Sequence, residues 1–74
     1  MRRMSKREYQ ACIDALGLSQ VGAAELVGID PRTSRRFSRG EYDVPQPIAL
    51  LLRVMVKHKV TAESAQALLT EVVL

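Results

Sequence analysis

With 74 residues, 47% of them apolar, and one cysteine, the chain is sized for a single domain, is too apolar for a disordered tail and cannot close an internal disulfide. A chain this short buries only about 60% of its unfolded surface, so its stability margin is small. No apolar run nears membrane-spanning length and no signal-peptide core stands out, so the expectation is a soluble, cytoplasmic protein whose net charge of +3 favours anionic partners.

The elements follow in chain order. Ser5-Lys6-Arg7-Glu8 has capping-box spacing, and Met4 and Tyr9 hold the two positions of a hydrophobic staple, so a first helix starts here. Tyr9, Cys12, Ile13 and Leu16 recur at helical spacing as its buried face, with Cys12 read as a small buried hydrophobe, and Gly17 ends it. Ser19 caps a second helix that runs to about Val27 and stops at Gly28. Ala23, Ala24 and Val27 give this helix a narrow inward face that admits a close neighbour. Asp30 caps a third helix with Pro31 at its first position, where the missing N–H costs nothing. Phe37 is the apolar anchor of the third helix and Gly40 its stop.

Pro45 and Pro47 fit only the first turn of a fourth helix, expected from about Pro45 to Lys57. Its apolar stripe is read as Ile48, Leu51, Leu52 and Met55, with Leu50 and Val54 outside it. So apolar a helix is expected at the centre of the core or partly covered by a second chain. Thr61 then caps a fifth helix carrying Ala65, Leu68, Leu69 and Val72. Tyr9, Phe37 and Tyr42 are the only aromatics, so the core is mostly aliphatic, which suits short packed helices. The expected fold is all-α: one domain over residues 1–74, a compact bundle of about five short helices. Residues 1–4 are a candidate flexible arm and residues 61–74 a candidate dimerisation helix.

Charge comes in blocks. Residues 2–7 hold Arg2, Arg3, Lys6 and Arg7, residues 8–30 hold four acids and no base, and residues 31–40 hold Arg32, Arg35, Arg36 and Arg39 with no acid. Two short helices joined at a glycine, the second of them cationic, suit insertion of a helix into a DNA groove. With Phe37 turned inward, Arg32 and Arg36 share an outer face and Arg35 and Arg39 flank it. Early positions of a groove-bound helix lie nearest the bases, so Arg32, Arg35 and Arg36 are the base-edge candidates, each able to fork onto guanine O6 and N7. Ser19, Gln20, Thr33, Ser38 and Arg39 are the phosphate candidates. Arg2 and Arg3 are candidates for an arm on the DNA, the alternative being a solvated chain start.

Several of these residues stand together in a known pattern. Gln20, Ala24, Gly28-Ile29, Thr33, Phe37, Arg39-Gly40-Glu41 and the Val-Pro-x-x-x-Ala-x-Leu-Leu run from Val44 to Leu52 resemble the phage-repressor (Cro/XRE-like) helix-turn-helix family. The resemblance covers residues 16–57. It implies a lambda-repressor-like bundle that binds double-stranded operator DNA, usually as a homodimer, and regulates transcription. Three positions depart from the family. Ser34 stands where members place a buried Val or Ile, so the third helix is expected to pack less firmly. Ser38 stands where many members have Glu. Pro31 replaces a base-reading amide, which shifts the expected readout toward arginine.

The apolar surplus of the last two helices leaves two roles open for Leu68, Leu69, Val72 and Val73, a dimer interface or core. It also keeps open an interaction module, an antitoxin or adaptor on the same scaffold with a protein partner. An enzyme is not expected: there is one His, one Cys, and no nucleophile–base pair or phosphate loop. His58 lies between two lysines with no second ligand at metal-binding spacing, so neither a metal nor another cofactor is expected. The third helix has Phe37 alone as a large apolar residue, too little for a membrane surface.

Overall fold

The computed structural model of the chain describes residues 3–61, 63–65 and 67. Three local caps set where the first helices begin. Ser5 Oγ accepts the Glu8 N–H at 3.1 Å, Ser19 Oγ the Gly22 N–H at 3.0 Å and Asp30 Oδ1 the Arg32 N–H at 2.7 Å. They open α1 (Lys6–Ala15), α2 (Gln20–Val27) and α3 (Pro31–Arg39). After Pro45, α4 (Gln46–Lys57) begins with no side-chain cap. Thr61 Oγ1 accepts the Ser64 N–H at 3.0 Å, and residues 63–65 and 67 are helical, so a fifth helix starts where the sequence marks it. All regular secondary structure among the described residues is helical.

Helices α1 to α4 all end in the same way, with a left-handed residue and a six-to-one backbone bond that occupies a terminal carbonyl. For α2 the left-handed residue is Gly28, at φ 74°, and the Ile29 N–H reaches the Ala24 carbonyl at 2.9 Å. For α4 it is Lys59, at φ 55°, with the Val60 N–H on the Met55 carbonyl at 2.9 Å. A side chain in that region costs about 1–2 kcal/mol, so this turn carries strain that the glycine turns avoid.

The buried cluster comprises Met4, Tyr9, Cys12, Ile13, Ala23, Phe37, Val44, Ala49 and Leu52. Helix α1 is the hub, packed against both α3 and α4, while α2 packs against α3. Tyr9 and Phe37 meet edge to face with ring centroids 5.4 Å apart, a geometry that adds about 0.5–1.5 kcal/mol to their burial. Ala23 and Ala24 have no exposed surface, so α3 can approach α2 closely. Across the α1–α4 contact, Arg53 grips Glu8 with two bonds, Nε to Oε2 at 2.7 Å and Nη2 to Oε1 at 3.0 Å. Burial pushes the Cys12 thiol above its ordinary range; the nearby Glu8 charge adds to this and Arg53 opposes it.

Two expectations need correction. Met4 is 3% exposed, held in the staple, so residues 1–4 are not all a free arm. In α4 the inward residues are Ala49, Leu52 and Met55, with Ile48 half-buried, whereas Leu51 is exposed. The small Ala49 lets α4 settle closely on α1, and that choice of contact line turns Leu51 outward beside Leu50 and Val54. The latter two lie outside the stripe as expected. The helix buries one face and leaves an apolar strip in solvent.

Candidate nucleic-acid interface

The turn Gly28-Ile29-Asp30 fixes how α3 leaves α2. Gly28 supplies the left-handed backbone, Ile29 is half-buried against the core, and Asp30 caps the next helix. Pro31 adds a residue whose φ already suits a helix and whose missing N–H has no partner to lose. Helix α3 therefore starts in a defined direction.

Its inward face is Phe37, 4% exposed, and Ser34, which is fully buried. With 3.6 residues per turn, adding Ser34 to the inward side brings Arg32 and Arg39 to the middle of the outward face. Arg35 and Arg36 flank them. All four arginines are on the solvent side, Arg36 half-buried and the others exposed, and no carboxylate interrupts the helix. Arg32 and Arg35 make no side-chain hydrogen bond or ion pair among the described residues.

The other two arginines are partnered. Arg36 Nη1 donates to Tyr42 Oη at 2.8 Å, and its guanidinium carbon lies 5.1 Å from the centre of the Tyr42 ring. Arg39 Nη1 is 3.5 Å from Glu41 Oε2, with both side chains more than half exposed; such a pair is worth little and yields readily to a stronger anion. Arg3 pairs in a similarly exposed way with Asp43 at 3.4 Å. Arg2, Leu68, Leu69, Val72 and Val73 lie outside the described residues.

Ser34 has a role that its place in the sequence does not show. Its hydroxyl donates to Gln20 Oε1 at 2.6 Å and lies 2.6 Å from the buried Tyr9 hydroxyl. A serine has one proton to give, so Tyr9 must be the donor in the second bond. Gln20 Nε2 passes the chain on to Ser38 Oγ at 2.8 Å and Gln10 Oε1 at 3.2 Å, and Gln10 donates to Asp14 Oδ1 at 2.9 Å. Every donor in this run has one direction, from Tyr9 to the Asp14 carboxylate. It ties α1, α2 and α3 together at one junction, and among the described residues no buried side-chain polar atom lacks a partner. Burial raises the Tyr9 phenol above its ordinary range.

Two expectations change accordingly. Ser34 is a fully buried, bonded anchor where looser packing was expected. Gln20 and Ser38, expected to hold phosphates, bond to each other, and both Gln20 amide hydrogens already have protein acceptors. Ser19 caps α2 with its oxygen and Thr33 is half-buried beside the arginine face. No side-chain signal in the sequence linked Tyr42 to Arg36.

No group of His, Cys, Asp and Glu able to hold a metal occurs among the described residues, and no helix there is long and apolar enough to cross a membrane. Compared with known proteins, the chain matches no family model, no curated protein and no solved structure.

Proposed function

We propose that this chain is a sequence-specific, double-stranded DNA-binding transcriptional regulator of the phage-repressor type, acting in the cytoplasm as a homodimer with α3 in the major groove. One observation carries the reading: four arginines and no acid on the outward side of a short helix whose exit from its neighbour is fixed by Gly28 and Asp30. Arg32, Arg35 and Arg36 are the base-reading residues. Arg39, Thr33 and the start of α2 at Ser19 meet phosphates, Arg39 by exchanging the weak Glu41 contact for a phosphate oxygen. The dimer reading rests on the sequence of the last helix. It is a reading of a binding protein, not of an enzyme, and needs no cofactor.

Salt titration of binding to duplex DNA tests it. With about four phosphate contacts per subunit, a dimer gives a log–log slope near −7, and half-sites lie about 34 Å apart. Arg36→Ala relaxes specificity at one or two base positions, whereas Arg39→Ala weakens all duplexes alike. A binding curve flat in salt refutes the reading.

A second reading has an observation of its own. Leu50, Leu51 and Val54 leave 39–47% of their surface exposed along α4, which suits a protein partner of an antitoxin or adaptor. Stoichiometric capture of such a partner without any DNA binding decides for it.

A further inference from the structure

The contact between Arg36 and Tyr42 has a purpose that follows from its geometry. Tyr42 is not on α3; it comes after the helix has stopped. Gly40 takes the left-handed conformation at φ 80°, and the Glu41 N–H bonds the Arg36 carbonyl at 2.9 Å. That bond ties the returning chain to the backbone of Arg36 itself, so the next residue arrives beside the Arg36 side chain. There the phenol oxygen accepts from Nη1, and the ring lies against the guanidinium. The plane and direction of the side chain are thereby set from two sides. Tyr42 is half exposed and is not part of the buried cluster, so core packing does not account for it.

A guanidinium has five N–H donors, and Tyr42 takes one. The Nε and Nη2 hydrogens, which form one complete edge of the fork, remain available for the paired acceptors of guanine. We propose that Tyr42 is a specificity-determining positioning residue: it holds the Arg36 fork ready before DNA arrives, which makes the base pair facing Arg36 the most sharply read position of the site. The inference rests on the reading of α3 as a DNA-recognition helix. Freezing a long side chain on binding weakens an interaction by about 2- to 10-fold, and Tyr42 removes that penalty for Arg36. Arg32 and Arg35 have no such partner among the described residues, so their positions are read more loosely.

The experiment is selection from a random duplex library, followed by affinity measurements on single-base variants of the selected site. It compares the wild-type chain with Tyr42→Phe, Tyr42→Ala, Arg36→Ala and the Arg36→Ala/Tyr42→Ala double variant, each checked for helix content. The position that Arg36→Ala flattens identifies the base pair facing Arg36. Tyr42→Ala reduces the preference at that position by about 2- to 10-fold and leaves other positions unchanged. Tyr42→Phe, which keeps the ring, loses less. In the double variant the affinity for every duplex is the same as with Arg36→Ala alone, whereas a merely structural role for Tyr42 lowers it a second time. Tyr42→Ala leaving that preference intact, or weakening all duplexes equally, overturns the inference while the DNA-binding reading survives. A wild-type chain that selects no duplex overturns both.

Discussion

Ser34 is the residue whose replacement tells most about how α3 is held. In Ser34→Ala the Tyr9 hydroxyl loses its acceptor and Gln20 Oε1 loses its donor. Tyr9 has no exposed surface, so water cannot replace the acceptor, and a buried donor without a partner costs about 1–3 kcal/mol. Gln20 is half-buried and can turn toward water, so its loss is nearer 0.5–1 kcal/mol. The sum is about 1.5–4 kcal/mol, a large share of the stability of a domain this small. Thermal unfolding should then fall by roughly 6–30 °C. Ser34→Val is worse than Ser34→Ala, since it leaves the same orphans and forces extra volume into a site with no free surface. Tyr9→Phe/Ser34→Ala removes donor and acceptor together, so it is less destabilised than the sum of the single variants by about 1–2 kcal/mol. Urea and thermal denaturation of the four variants measure the cycle. A Ser34→Ala cost below about 0.5 kcal/mol, or strict additivity in the double variant, refutes the junction as described.

The other predictions concern different parts of the molecule. Lys59→Gly relieves the left-handed lysine and raises stability by about 0.5 kcal/mol, part of the relief being offset by the greater freedom of glycine in the unfolded chain; an unchanged or lower denaturation midpoint contradicts this. Stability should decline in alkali, because burial raises both Cys12 and Tyr9. A raised group contributes fully below its unfolded pKa and loses its contribution as pH rises through the folded one. The loss therefore begins above about pH 8.5 for the thiol and above about pH 10 for the phenol. Melting curves from pH 7 to 10.5 show it, and Cys12→Ala removes the first part. In the folded chain Cys12 also reacts with iodoacetamide much more slowly than in urea, since it is both buried and kept as the thiol; equal rates refute its burial.

What could be read from the sequence was what is settled within a few residues. The caps at Ser5, Ser19 and Asp30 and the stops at Gly17, Gly28 and Gly40 depend on a turn of chain each, and all stand where the spacing puts them. What depended on distant residues could not be read in the same way. Ser34 looks like a defect until Tyr9, 25 residues earlier, supplies a hydroxyl, and the capping-box position of Glu8 gives no sign that Arg53, 45 residues later, also binds its carboxylate. Leu51 and Ala49 show a subtler limit. Periodicity favours the larger residue for the core, but the closeness of α1 and α4 favours the smaller. At the candidate interface, the arginines of α3 were legible as a block, while their division into free and held side chains needed the fold of the chain beyond Gly40.

The central claim is that α3 reads duplex DNA, and selection of bound duplexes by the wild-type chain from a random library tests it most directly. The account predicts a two-fold symmetric consensus, guanine facing Arg36, with half-sites about one helical turn apart. A library that emerges unenriched after repeated rounds at low salt contradicts it.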